Sequence, residues 1–146
     1  MLLTDQDIYH FREGTLFRAY EKLGAHAQPA GARGAGTHFA VWAPNAAAVS
    51  VVGDFNDWER DRHPLASRPD SSGVWEGTIA GVGPGALYKY HVVSQYDGYQ
   101  VDKCDPYAFR AEVPPRTASM VWDLAYEWRD REWMTQRARA NALDAP

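Results

Sequence analysis

Residues 38–58 restrict the fold more than any other part of the sequence, and they read HFAVWAPNAAAVSVVGDFNDW. A short segment that contains Pro44 separates two apolar runs, FAVW and VSVV. Proline fixes its own φ and has no amide hydrogen to donate, so the first run ends at Pro44. The second run ends at the turn-forming cluster GDFNDW, which presents Trp58. Alternation places Phe39 and Val41 on one face of the first strand. We therefore expect a β-hairpin-like unit that carries an aromatic loop.

Short strands separated by turn signals continue from this unit to about residue 123. The strand-like segments are residues 74–79, 87–94, 100–103 and 119–123. Alternation within residues 87–94 places Tyr88 and Tyr90 inward, and Lys89 and His91 outward. The dipeptide DG in YDGY is a hairpin turn signal. This spacing predicts an all-β fold, an immunoglobulin-like antiparallel β-sandwich with short helical segments before it.

The N-terminal part, residues 1–36, has a different pattern. Thr4 is a good N-cap for a short helix, acidic residues follow it, and Gly14 is a natural stop. Residues 16–23 carry a second short amphipathic pattern. Residues 25–36 are rich in alanine and glycine, which is typical of a linker or surface loop. We therefore expect the sandwich to begin near residue 37.

The C-terminal part changes character again. Residues 126–142 have a weakly amphipathic, charged helical pattern in which Trp128 and Trp133 are apolar exceptions. Such a helix has little to pack on in a small sandwich, and we interpret it as a connector toward a neighbouring domain. The predicted division is residues 1–36 (helical segment and linker), 37–123 (β-sandwich) and 124–146 (helical connector).

Composition excludes several classes of function. The chain has 146 residues, of which 45% are hydrophobic, enough for one domain with a real core. Six Trp and eight Tyr are a heavy aromatic load, and aromatic rings serve both in cores and as stacking platforms. The formal charge of −4 argues against a nucleic-acid partner and suits a neutral ligand such as a sugar polymer.

Cysteine usage and the first residues predict the compartment. Cys104 is the single cysteine, so no internal disulfide is possible, and MLLTDQDIYHF lacks the features of a signal peptide. No stretch is apolar enough for a membrane helix. We expect a cytoplasmic protein without a membrane partner. The histidines lack metal-ligand spacing and the acidic residues after Gly53 lack an EF-hand pattern, so we expect neither metal nor cofactor.

The stretches FAVWAPNAAAVSVVGDFNDW, GVWEGTIAGVGPGALYKY, DPYAF and TASMVWDL resemble carbohydrate-binding module family 48, as found at the N-terminus of 1,4-α-glucan (glycogen) branching enzymes. GDFNDW is shared with debranching enzymes, trehalohydrolases and the β subunits of AMP-activated kinases. The segments DIYHFREG and YEKLGAH and the tail EWRDREWMTQRARANALDAP are similar to branching enzymes in particular. The resemblance covers nearly the whole chain.

This resemblance implies a glycosyltransferase of glycoside hydrolase family 13 that cuts an α-1,4 link and rejoins the chain as an α-1,6 branch in glycogen biosynthesis. That retaining chemistry needs two carboxyl groups, which in the family lie at the strand ends of a (β/α)₈ barrel. No position of this sequence matches them, so the resemblance assigns no catalytic residue. We expect the chain not to catalyse the reaction by itself.

The resemblance also implies residues that contact sugar. Trp58 matches a stacking tryptophan, Lys89 matches a lysine that bonds sugar hydroxyls, and Tyr99 lies roughly where a second stacking aromatic occurs. Thr117 and Ser119 fall where polar side chains face the glucan, with serine in place of the more usual asparagine. The alternatives are that Trp58 caps the edge of the sandwich, that Lys89 is a solvated strand lysine, and that Thr117 and Ser119 are turn residues.

Three functions follow as hypotheses. The first is an accessory sandwich of a branching enzyme that positions α-glucan (glycogen or a maltooligosaccharide) and packs on the catalytic barrel. The second is a stand-alone α-glucan-binding targeting module, and the third is a structural spacer without sugar affinity. The remaining strand tryptophans, Trp42, Trp75 and Trp122, are expected in the core.

Overall fold

The computed structural model describes residues 2–28 and 35–140. These residues form two α-helices, two short 3₁₀ turns at Ala19–Glu21 and Asp54–Asn56, and nine β-strands. The helices are α1 (Asp5–Arg12) and α2 (Arg131–Ala140). The strands are β1 (Gly24–Gln28), β2 (Gly36–Trp42), β3 (Ala46–Gly53), β4 (Ala66–Ser67), β5 (Val74–Ala80), β6 (Leu87–Ser94), β7 (Gln100–Lys103), β8 (Arg110–Ala111) and β9 (Ser119–Met120).

The strands form two antiparallel sheets, which confirms the predicted all-β, immunoglobulin-like sandwich. The first sheet has the order β1-β2-β5-β4, and the second has the order β3-β6-β9-β8, with β7 also paired to β6. The main core lies between the sheets: Phe39 of β2 contacts Tyr88 of β6, and Val51 and Tyr90 are fully buried beside them. The predicted inward alternation of β6 is therefore confirmed.

The predicted pairing of the two apolar runs in residues 38–58 is wrong. β2 pairs with β1 and β5, whereas β3 pairs with β6 in the other sheet. The chain crosses between sheets at Ala43–Ala46, where the Ala46 amide donates to the Ala43 carbonyl. Two apolar runs can be buried by pairing or by facing each other across a core, and alternation alone does not distinguish these arrangements.

The prediction of a linker over residues 25–36 is wrong for residues 25–28. These residues belong to β1, which pairs with β2 along its whole length. Two contacts explain the small side chains of β1. Ala25 enters the main core. The backbone of Tyr107 passes close to Gly24, so that a Cβ atom on Gly24 would lie 3.1 Å from the Tyr107 carbonyl oxygen. Residues 29–34 of the predicted linker lie outside the described residues.

The N-terminal segment covers the outer face of the first sheet. α1 begins after Thr4 as predicted, with Thr4 Oγ1 accepting the Asp7 amide at 3.2 Å and an Asp7 carboxylate oxygen accepting the Thr4 amide at 2.8 Å. The second helical pattern contains only the 3₁₀ turn at Ala19–Glu21. A second apolar cluster joins this segment to β2 and β5; its buried members are Leu3, Ile8, Leu23, Ala40 and Val74.

The C-terminal segment stands apart from the two cores. The predicted helix over residues 126–142 begins only at Arg131, and residues 141–146 lie outside the described residues. Trp128 and Trp133 are 76% and 58% exposed. The boundary of the sandwich at residue 124 stays a proposal.

Two of the three tryptophans expected in the core lie at the surface instead. Trp42 is exposed and donates through Nε1 to the Ser72 carbonyl at 3.0 Å, and Trp122 is exposed with the Arg110 guanidinium 4.0 Å above its ring. Trp75 does pack against the core. An indole at a strand end can cover the rim of a sheet while its N–H reaches a partner, so a strand pattern does not require burial.

Candidate ligand-binding face

The loop that carries Trp58 is fixed by the buried side chain of Asn56. The Asn56 Oδ1 accepts the Gly53 amide at 2.9 Å, and its Nδ2 donates to the Val51 carbonyl at 3.0 Å. The same Nδ2 lies 2.8 Å from His63 Nδ1. Burial and the charge of Arg62 lower the pKa of His63, which favours the neutral ring that can accept this bond. The buried side-chain amide of Asn56 therefore ties the loop to the end of β3.

The backbone at Trp58 adopts a conformation that is uncommon for residues other than glycine. Asp57 and Trp58 both have positive φ, at 54° and 61°. The Trp58 amide donates to the Gly53 carbonyl at 2.9 Å, and the Asp54 carboxylate accepts the Leu87 amide of β6 at 3.1 Å. Such conformations persist only where surrounding contacts determine them, and they concentrate at functional sites. The indole, 42% exposed, thus stands on a preformed turn.

Lys89 and Thr117 meet on the outer face of the second sheet. Lys89 Nζ donates to Thr117 Oγ1 at 2.8 Å. Because Tyr88 points into the core, the next residue of β6 points away from it. Lys89 pairs with Val52 of β3, one residue before Gly53, where the Trp58 loop is anchored. The structure therefore brings Lys89 and Thr117 together beside the Trp58 loop.

Tyr99 and Ser119 do not join this group. Tyr99 is exposed and lines an apolar pocket of about 350 Å³ together with Tyr90 and Val92, on the opposite side of the sheet from Lys89. Ser119 is 1% exposed, and its Oγ accepts the Asp105 amide at 2.8 Å. Neither side chain is therefore available on the face that carries Lys89.

Asp105 forms a buried polar centre that sequence reasoning missed. Its Oδ2 accepts the hydroxyls of Tyr88 at 2.6 Å and Tyr90 at 3.2 Å, and its Oδ1 accepts the Tyr107 amide at 2.8 Å. Burial raises the pKa of Asp105 and also raises the pKa values of the two tyrosines. All its neighbours are donors within the protein, so we interpret Asp105 as structural.

Next to Lys89, a row of polar residues, Ser50, His91 and Asp102, crosses the outer face of the second sheet. Of these, the sequence pattern predicted only the outward position of His91. His91 Nδ1 lies 2.6 Å from Asp102 Oδ1, and Arg60 Nη2 lies 3.2 Å from Asp102 Oδ2. Although burial opposes ionisation, the hydrogen bonds from His91 and Arg60 lower the pKa of Asp102. Ser50, the cross-strand neighbour of His91, donates its hydroxyl to the Arg60 carbonyl.

Among residues 2–28 and 35–140, no group of three or more His, Cys, Asp or Glu side chains is arranged to hold a metal ion. The two helices of the same ranges are too short and too polar to cross a membrane.

The chain belongs to the family of carbohydrate-binding module 48 (isoamylase N-terminal domain), whose profile matches residues 22–108. It is 55% identical over 144 residues to the 1,4-α-glucan branching enzyme GlgB of Aromatoleum aromaticum. It is 46% identical over 145 residues to the enzyme of that name from Aquifex aeolicus. Each match covers 99% of this chain and 22% of the relative. The chain thus spans about a fifth of the length of the curated relatives, and its resemblance to branching enzymes is confirmed.

Solved structures share the fold. Klebsiella pneumoniae pullulanase complexed with maltotriose matches with a TM-score of 0.56 and 29% identity, covering 70% of this chain and 10% of the pullulanase. A pullulanase from Anoxybacillus complexed with maltotetraose matches with a TM-score of 0.56 and 27% identity, covering 70% and 14% of the two chains.

Proposed function

We propose that this chain is the α-glucan-binding module of a glycogen branching enzyme and that it catalyses nothing by itself. The observation that carries the proposal is the exposed Lys89–Thr117 hydrogen bond beside the preformed loop of the exposed Trp58. The similarity to branching enzymes over 99% of the chain supports the choice of parent.

The chemistry of these three side chains fits a neutral sugar. An indole face packs against the C–H face of a pyranose ring, which carries no charge. The Lys89 ammonium has three hydrogens, so after donating to Thr117 it retains donors for sugar oxygens. One stacking platform and a few hydroxyl contacts, offset by desolvation, support a dissociation constant of about 0.1–10 mM. Salt should change it little because the ligand is uncharged.

The role in the parent enzyme follows from the tail. Trp128 and Trp133 are exposed on a segment outside both cores, and apolar side chains of that size are usually covered in the working protein. We propose that residues 124–146 lead to a catalytic barrel of glycoside hydrolase family 13, on which the module packs in the cytoplasm.

Titration with maltoheptaose tests the binding proposal. Amide NMR shifts should report binding in the millimolar range, Trp58→Ala should weaken it at least tenfold, and Lys89→Ala should weaken it about threefold to tenfold. Trp128→Ala and Lys103→Ala are matched controls, because both residues are exposed and neither belongs to the group of Trp58, Lys89 and Thr117. If no amide shifts at ~20 mM sugar, the structural-spacer hypothesis replaces this one.

A further inference from the structure

We propose that a polar pocket beside Lys89 is a second sugar subsite, which takes a further pyranose unit of the same α-glucan with His91 as its central contact. The proposal rests on the proposed function and extends it along the sheet. The pocket has a volume of about 350 Å³. Its principal walls are Ser50, Arg60, Pro64, His91, Val93 and Gln100.

His91 is the feature that points to a ligand. Its side chain is 6% exposed, and Asp102 engages only Nδ1, at 2.6 Å. The carboxylate fixes the tautomer with hydrogen on Nδ1, which leaves the Nε2 lone pair as an acceptor in the neutral ring. Within the described residues Nε2 makes no hydrogen bond, although His91 lines the pocket. His91 Nε2 is not among the buried side-chain atoms that lack a partner, so it is the atom of this largely buried side chain that opens to the pocket. A hydroxyl of a bound molecule can replace solvent there as the donor to Nε2.

The charges around the pocket favour a neutral ligand over an anion. Arg60 is engaged by Asp102, and Asp61 adds a further carboxylate to the lining. A phosphate or carboxylate would therefore meet no unpaired cation among these side chains. Pro64 and Val93 supply apolar surface for sugar C–H groups, and Gln100 supplies both a donor and an acceptor.

The row Ser50, His91 and Asp102 has the residue types of a hydrolase triad but not its geometry. The Ser50 hydroxyl donates to the Arg60 carbonyl, so its proton is directed at a backbone oxygen instead of at the imidazole. A nucleophile needs a base within hydrogen-bonding reach to accept its proton. We therefore assign this row to binding.

The spacing along β6 connects the pocket to the first subsite. Lys89 and His91 are two residues apart on one strand and point to the same face, so they lie about 6.5–7 Å apart along the strand. A glucan that stacks on Trp58 and contacts Lys89 can therefore continue over the strand to His91. Arg60 is bonded to both ends of the cross-strand row Ser50–His91–Asp102, so it lies across the face at His91, and a glucan that continues from Lys89 would contact this side chain.

The test is a titration of the isotope-labelled chain with maltoheptaose, read at the imidazole nitrogens as well as at the amides. The His91 Nε2 resonance should shift with the sugar, and His91→Gln should weaken binding about threefold to tenfold. His10→Gln, on the N-terminal helix, is the matched control and should change nothing. If His91→Gln does not fold, Arg60→Gln and Gln100→Ala alter the same pocket from exposed positions and should each weaken binding about twofold to fivefold.

The outcomes separate this inference from the proposed function. If Trp58→Ala abolishes binding while the pocket variants bind normally and the His91 Nε2 resonance stays fixed, the second subsite is refuted and the first stands. A persistent His91 shift in Trp58→Ala at high sugar concentration supports an independent subsite. If the wild-type chain shows no shift at all, both the function and the subsite are refuted.

Discussion

At the scale of single residues, Asn56 decides the shape of the candidate site. It is 1% exposed and makes three hydrogen bonds, to the Gly53 amide, the Val51 carbonyl and His63. The turn-forming letters GDFNDW predicted a loop that presents Trp58. They did not reveal that one side chain turns inward and holds it, because asparagine is common both at exposed turns and at buried backbone contacts.

Replacing Asn56 by alanine should therefore destabilise the protein by about 2–4 kcal/mol. The substitution leaves a buried amide and a buried carbonyl without partners, and each such loss costs about 1–3 kcal/mol. Urea unfolding followed by far-ultraviolet circular dichroism measures the change. Asn45→Ala, at an exposed position in the connection after β2, is the control and should cost under about 0.5 kcal/mol. Equal effects for the two variants would show that the Asn56 bonds are dispensable.

The five candidate residues show where sequence inference reaches its limit. Lys89 lies outward as predicted because β6 is a regular strand whose core residues alternate without interruption. Tyr99 follows a tight turn in which Asp97 and Gly98 both have positive φ, and the resulting register puts it on the opposite side of the sheet. A shift of one residue exchanges the two faces of a strand, so a loose alignment cannot place such a residue. Ser119 was assigned by resemblance, which gave no information on burial.

At the scale of elements, α1 depends on one carboxylate. Asp7 accepts bonds from the Thr4 amide and, at 2.8 Å, from Lys22 Nζ. Burial opposes ionisation, but the bonds from Lys22 and Thr4 outweigh it and lower the pKa of Asp7 to about 2. A lowered pKa means that the ionised group stabilises the folded state above its unfolded pKa, and that this contribution disappears as the pH falls through about 2.

Asp7→Asn should therefore lower the free energy of unfolding by about 1 kcal/mol near neutral pH and by almost nothing near pH 2. Thermal or urea unfolding of both proteins at several pH values between about 2 and 7 measures the difference. The control is Asp61→Asn, because Asp61 is exposed and makes no ion pair among the described residues. A difference that is independent of pH would mean that the effect of Asp7 is not electrostatic.

The element that the sequence concealed is β1. Alanine and glycine dominate residues 25–36 and have weak strand preference, so local composition predicted a linker. Pairing with β2 and the close approach of the Tyr107 backbone to Gly24 favour small side chains at this edge. Tertiary contacts thus determined the strand, and no local signal was available to predict it.

At the scale of the whole molecule, the two cores and the C-terminal segment should differ in stability. Trp128 and Trp133 are exposed, and residues 131–137, the part of α2 whose side chains are described, contribute nothing to either hydrophobic cluster. Hydrogen exchange should therefore be fast across residues 131–137 and slow across β2, β3 and β6, where opening requires global unfolding. Equal protection of α2 and β6 would show that the helix packs on the sandwich in solution.

The isolated chain should also leave amylose unchanged. Branching needs a pair of carboxyl groups placed on either side of the scissile bond. On the candidate face, Asp102 is engaged by His91 and Arg60, and Asp54 is engaged by the Leu87 amide, so neither carboxylate is free for such a pair. The iodine absorbance of amylose should stay constant during incubation with the purified chain. A reproducible fall that scales with protein concentration would contradict the assignment as a non-catalytic module.

The N-terminal segment packs on the outer face of the first sheet, whereas on the second sheet Trp58 and Thr117 are exposed next to the buried outward residues Ser50, Val52 and His91. A polysaccharide held there would be touched along one flank only, and its far flank would stay bare. The module would bind the polymer on an open surface, in contrast to an enclosed binding site that a polymer can enter only by one of its ends. Long or already branched chains could then settle from the side at any point along their length, and a second protein could work on the exposed flank without first displacing the module.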